Sequence, residues 1–129
     1  LQRRCREAHK TLVLAALTAG SYGGEVAVFW PEGACFWCFV LAQHEGLIPE
    51  PMPGPVSNVT PIGCSAPAFS GAGFDATSLA ALAARTAIRA SGKCAYPPLE
   101  YDYVIVNFRG EEQTSHGVLN AHPGCPLDH

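Results

Sequence analysis

No stretch of this 129-residue chain approaches the roughly 18 consecutive apolar residues that read as a membrane-spanning helix. The longest run, Thr11 to Ala19, is too short and gives way to a Gly-rich turn. A general excess of basic charge is missing too. The formal net charge is −3, whereas a non-specific nucleic-acid binder needs a basic face to neutralise phosphates. The imbalance is local: four basic side chains against one acidic give +3 over residues 1–10, leaving −6 for the other 119. A solvated helix face accounts for that cluster more simply than an arm for an acidic partner. Phosphate cradles are also absent. The Gly20–Gly24 stretch (GSYGG) and the GAG before Phe74 match neither G-x-G-x-x-G after a strand nor G-x-x-x-x-G-K-[ST], and read as tight turns. Finally, the chain has no initiator methionine and no secretory layout of charge, apolar stretch and small-residue cleavage site. Its opening already reads as helix, with Leu1, Cys5 and Ala8 on one face. The expectation is an excerpt of a longer protein, cut inside a domain.

Hydrophobic residues at 48% supply enough material for one packed domain of ordinary size. Thr11 to Thr18 is a continuous apolar run, as expected of a strand covered on both faces. Glu25 to Trp30 is β-branched and aromatic, a second strand ended by Pro31 and Gly33. The gap between them suits a hairpin and not a parallel crossover. Cys35 to Leu47 reads as a knuckle running into a short helix, and the Pro-rich stretch over 48–63 as a long irregular crossover loop. From Phe74 the chain turns helical, with Asp75 as N-cap and a stripe of Leu79, Leu82, Ala83 and Thr86 opposite Ser78, Arg85 and Arg89. That helix ends near Ser91-Gly92. Tyr101 to Phe108 is the clearest strand, and His116 to Ala121 a last one. The fold class is α/β, with a mixed, largely antiparallel sheet and helices packed on it.

Six cysteines in a secreted chain would suggest a disulfide framework. Here two form a C-x-x-C pair and no export signal is visible, so reduced thiols, metal binding and a cytoplasmic location fit better. Cys35 and Cys38 can turn both sulfurs onto one tetrahedral ion, which needs two further ligands. The tail offers Cys125 and one of Asp128 or His129, with His122 a weaker fourth. Two rival readings stand beside this one: a redox dithiol, which normally sits at a helix N-terminus after a βαβ pattern, and plain buried cysteines. Cys64, between the Pro-rich loop and a Gly-lined helix start, is either a thiol accessible to a large partner or a small core residue. Cys5 and Cys94 look structural, Cys5 on the buried stripe of the first helix. His9 and His44 read as surface residues, and His44-Glu45 as neighbours that do not face each other.

As an ordered set, these motifs resemble the ThiF/MoeB/HesA family, relatives of the ubiquitin-activating enzymes. The resemblance rests on the strand-turn-strand ahead of Ala-Cys-x-x-Cys and on Gly63-Cys64-x-x-Pro67-x-Phe69-x-Gly-x-Gly73-Phe-Asp75. It is completed by the Ala/Leu helix, the late strand and the tail His122-Pro-x-Cys125-Pro. It is closest to the bacterial branch and implies the C-terminal half of a ThiF-type Rossmann-like domain. In that family two C-x-x-C pairs hold one structural zinc. Cys35, Cys38 and Cys125 match three of those positions, and Asp128 stands where the fourth cysteine is expected, shifting ligation to Asp128 or His129. Cys64 matches a cysteine implicated in acyl or sulfur transfer. The implied reaction is ATP-dependent adenylation of the C-terminus of a ubiquitin-like or sulfur-carrier protein, with ATP and Mg2+ held by an N-terminal half that this chain lacks. The implied partners are that protein, the chain's own N-terminal half and a second copy in a homodimer, with no nucleic acid and no membrane.

Overall fold

The computed structural model describes residues 1–54, 73–93, 95–109 and 114–127. Helix α1 spans Gln2–Glu7, strand β1 Leu12–Leu17, β2 Gly23–Phe29 and helix α2 Phe36–His44. Helix α3 follows over Gly73–Ala90, then β3 over Tyr103–Asn107 and β4 over Thr114–Gly117. The four strands lie in the order β1-β2-β3-β4, each antiparallel to its neighbour. Among the described strands the sheet is therefore antiparallel throughout, with no parallel pair. The short β1–β2 link forms the expected hairpin. A short 3-10 turn, Ala19–Ser21, reverses the chain, with Gly20 at φ 73° where a side chain would be strained.

Side chains alternate across the sheet and create two apolar layers. On one face Ala27 and Phe29 of β2 and Tyr103 and Ile105 of β3 pack against Phe39 and Ala42 of α2, with Ile48 and Leu119 closing the cluster. Its rings meet edge-on, Phe29 to Phe39 at 6.1 Å and 74°. On the other face lie Gly24, Val26, Val28 and Val104, covered by α3. The missing side chain of Gly24 is what lets α3 close in: a Cβ there would sit 2.8 Å from Leu79 Cδ2. Leu79 and Thr86 of the predicted stripe are buried and Leu82 and Ala83 half-buried, while Ser78 and Arg85 face solvent. The helix stops at Ala90, with Gly92 at φ 63°.

Several expectations need correction. Burial on both faces belongs to β2, in which every residue but Glu25 is buried; β1 is an edge strand, with Ala15 and Ala16 exposed. Helix α3 lies across β1 as well as β2, and Leu12 and Leu14 pack on the α2 cluster, so the apolar run of β1 is half-covered on each face. Asp75 is not an N-cap: it lies buried in the first turn of α3, where the positive end of the helix dipole favours a carboxylate. Cys5 is half-buried, and α1 buries no residue fully. The last strand comes earlier than expected, Thr114–Gly117. The backbone N–H of Leu119 donates to Asp102 Oδ2 at 2.8 Å, which draws the chain out of the ladder just after Gly117.

Candidate metal centre

Pro31 to Ala34 turns the chain out of β2 and delivers Cys35 in extended conformation as the N-cap of α2. Cys38, three residues on, sits in the first turn. Both sulfurs thus share the helix N-terminus, where backbone N–H groups have no intrahelical acceptor. The nearby amides of Cys38 and Trp37 favour the anionic form of the Cys35 sulfur. Helix α1 steadies the turn from outside. Gln2 Oε1 accepts the Phe36 N–H at 2.9 Å, and Arg6 Nε donates to the Pro31 carbonyl at 3.1 Å. Two of the four basic side chains near the N-terminus are therefore used locally. Arg6 holds the knuckle, and Arg3 pairs with Glu7 at 3.0 Å on the exposed side.

The third sulfur arrives from the other end of the chain. Asp102 anchors the return, taking the Trp30 indole N–H on Oδ1 at 2.7 Å and Leu119 N–H on Oδ2. Leu119 is then buried against α2, and the chain turns at His122-Pro-Gly-Cys125, closed by a Cys125 N–H to His122 carbonyl bond of 3.0 Å. That turn places Cys125 Sγ 3.4 Å from Cys35 Sγ, while Cys35 and Cys38 are 3.7 Å apart. All three sulfurs lie within 4.8 Å of one another. A tetrahedral ion with metal–sulfur bonds of about 2.3 Å, as for zinc, requires sulfur–sulfur edges of about 3.8 Å. Two of the three edges, at 3.4 and 3.7 Å, are close to that length. The separations are also far beyond the roughly 2.05 Å of a disulfide, and none of the three cysteines is oxidised to one.

The electrostatics match a shared anionic site. Burial pushes the Cys35 thiol up to about 11, further raised by hydrogen bonds to its two sulfur neighbours, with the nearby backbone amides pulling the other way. Burial also opposes ionisation of Cys38, but there the amides of Cys35 and His122 and both neighbouring thiols prevail, and its pKa falls below the ordinary thiol value. The groups around Cys38 thus favour its ionised form. A divalent cation would displace the remaining protons. Cys35 and Cys38 do stand at a helix N-terminus, as redox dithiols do, but an antiparallel hairpin precedes them and a third sulfur closes on them. These residues can hold a metal ion, and a soft, borderline cation such as zinc suits three thiolates.

The rest of the predicted site divides cleanly. His122 is not with the sulfurs: its ring nitrogens are engaged by Glu45 Oε2 at 3.0 Å and by the Gly124 N–H at 3.1 Å. Asp128, His129, Cys64 and Cys94 lie outside the described residues. Sequence reasoning missed Glu45, Gln2, Arg6 and Asp102. Glu45 carried one usable signal, since it cannot face His44 on the helix and so had to find a partner elsewhere.

No helix among the described residues is long and apolar enough to cross a membrane. No family model matches the chain. The chain is similar to an uncharacterized protein of Sinorhizobium fredii (strain NBRC 101917 / NGR234), y4oA, with 39% identity over 74 residues. The match covers 55% of this chain but only 12% of that relative, so the chain corresponds to a small part of its length.

Proposed function

We propose that this chain is the zinc-bearing C-terminal portion of a ThiF-type activating domain, working in a larger cytoplasmic protein. That protein would adenylate the C-terminus of a ubiquitin-like or sulfur-carrier partner. The observation that carries the reading is the meeting of Cys35, Cys38 and Cys125, which ties the knuckle after the second strand to the tail. The motif order around that tie supports it, as does the similarity to a much longer protein. In this reading the metal is a staple and not a catalyst. It would be held by Cys35, Cys38, Cys125 and a fourth ligand from Asp128 or His129. The ATP and Mg2+ sites lie in the N-terminal half, which packs on this portion, and the assembly is a homodimer. The partner's terminal carboxylate attacks the α-phosphate of ATP and pyrophosphate leaves. The Cys64 thiolate then displaces AMP, taking the acyl group as a thioester.

The test is ATP–pyrophosphate exchange by the full-length protein, dependent on the ubiquitin-like partner. A partner adduct cleaved by thiol reagents should be lost in Cys64→Ser. Absence of exchange with every ubiquitin-like partner of the source genome would overturn the enzymatic reading. A second reading, a zinc-stabilised interaction module without catalysis, draws on a groove of about 410 Å³ beside the knuckle. It is lined by Leu12, Leu14, Phe36 and Leu127, with Trp37 49% exposed. Partner binding that persists without ATP or exchange activity would favour it.

A further inference from the structure

The residues that lead into Cys125 in the tail turn are not among the clustered sulfurs, yet they set where the third sulfur goes. His122 begins the turn and Cys125 ends it. Between them the Gly124 N–H donates to His122 Nδ1 at 3.1 Å. A nitrogen that accepts a hydrogen bond carries no proton, so the ring proton belongs on Nε2, where it is donated to Glu45 Oε2 at 3.0 Å. Glu45 is the C-cap of α2, the helix whose other end carries Cys35 and Cys38. The His122 side chain is 9% exposed and that of Glu45 51%, so the ring is enclosed and its anchor stands at the rim. One residue therefore touches both the turn and the far end of α2.

We propose that His122 is the positioning residue of the metal centre. Its Nδ1 closes the turn that aims Cys125 Sγ at Cys35 and Cys38, and its Nε2–H bond to Glu45 fixes that turn to α2. The inference rests on the metal-site reading above and adds a determinant that the ligand set does not contain. Preorganisation is the physical reason. A free tail must lose conformational entropy to bring its sulfur within 4.8 Å of two others, and a turn already closed and anchored has lost most of it before the ion arrives.

The experiment is a titration of the full chain, reduced and metal-free, with Zn2+ against a chromophoric chelator. Co2+ is used in parallel, so that the thiolate-to-metal charge-transfer band reports how many sulfurs bind. His122→Ala should bind Zn2+ about 10–100-fold more weakly, the range found when residues that orient metal ligands are removed. Its cobalt band should lose intensity, because Cys125 is no longer delivered. His122→Asn places an acceptor oxygen where Nδ1 was and should stay within about threefold of the wild type. His122→Gln reaches toward Glu45 but leaves the turn open, and should resemble the alanine variant. Glu45→Ala, like His122→Asn, keeps the acceptor that closes the turn and loses the bond to α2, and should match the Asn variant. If His122→Ala does not fold, the contrast between the Asn and Gln variants carries the test. Wild-type affinity in His122→Ala, or equal losses in Asn and Gln, would overturn the inference while leaving the metal site intact. A wild type that binds neither ion would instead remove the metal-site reading itself.

Discussion

The two faces of the sheet are built by different means. On the α3 side a long helix lies over a glycine and a patch of valines, and apolar contact does most of the holding. The polar Thr86 is buried there, its Oγ1 without a hydrogen-bond partner among the described residues, and a cavity of about 360 Å³ remains between Leu79, Leu82, Val104 and His116. On the α2 side an apolar cluster seats the nine-residue helix, but the tail beyond β4 has little apolar area of its own to bury. The tail and the knuckle are fixed by named polar contacts: Asp102 to Leu119, Glu45 to His122, Gln2 to Phe36, and three sulfurs brought together. A long amphipathic helix holds itself in place through area. A short tail needs directional bonds, and a metal ion held by the three sulfurs would supply the strongest of them.

With zinc in the proposed site, the largest expected effect comes from taking the metal away. In zinc-finger peptides the ion contributes about 10–16 kcal/mol at neutral pH. Chelation should therefore release residues 119–127, seen as faster amide exchange, while amides in β2 and β3 stay protected. Equal loss of protection on both faces would erase the contrast. Cys38→Ser should weaken zinc by more than the roughly hundredfold ceiling of orienting residues. Affinity should also fall as pH drops, because the ligands must be deprotonated and burial holds the Cys35 proton up to about 11.

Next in size is Asp102→Ala, which strands the Trp30 indole N–H and the Leu119 amide at about 1–3 kcal/mol per donor left without a partner. Because it lets go of the tail, it should lower both the denaturant midpoint and metal affinity. Gly24→Val probes the opposite face. Its Cβ would meet Leu79 Cδ2 at 2.8 Å and Leu17 Cδ2 at 3.0 Å, an overpacking cost of about 1–3 kcal/mol. Stability should fall with zinc affinity unchanged, and a parallel loss of metal would mean that the faces are coupled.

The smallest effect is expected at Glu25, on the α2 face. Burial raises its pKa above the ordinary carboxylate value; the Gln43 hydrogen bond opposes this, and nearby Glu50 adds to it. A carboxyl whose folded pKa is raised costs stability when ionised. That cost is present at neutral pH and disappears as pH falls through the raised value. Glu25→Gln keeps an acceptor for Gln43 Nε2 and should be slightly more stable at pH 7, by less than about 1 kcal/mol given solvent screening. Urea midpoints at pH 7 and at acidic pH should show the gap closing as the wild-type carboxyl protonates.

Much of the fold was legible along the chain because it is encoded in neighbouring residues. The β1–β2 hairpin follows from two apolar runs and a short Gly-rich gap, and the stripe from Leu79 to Thr86 follows from helical periodicity. The knuckle at Cys35 follows from its spacing to Cys38. Legibility failed where an answer depended on what lies across the sheet. The apolar run of β1 looked like a doubly covered strand, but only the strand order reveals it as an edge. His122 looked like a spare ligand, but both its nitrogens are committed to groups that the sequence does not place beside it.

The sequence by itself determined the elements, their faces and two separate sulfur-bearing turns, since each depends on residues a few positions apart. Only the tertiary structure decided that the turns meet. Cys35 and Cys125 are 90 positions apart, and the sheet, the Asp102 carboxylate and the Glu45–His122 bond must all be in place before their sulfurs share one site. Local periodicity carries no information about such a closure, because it is fixed by the packing of distant segments.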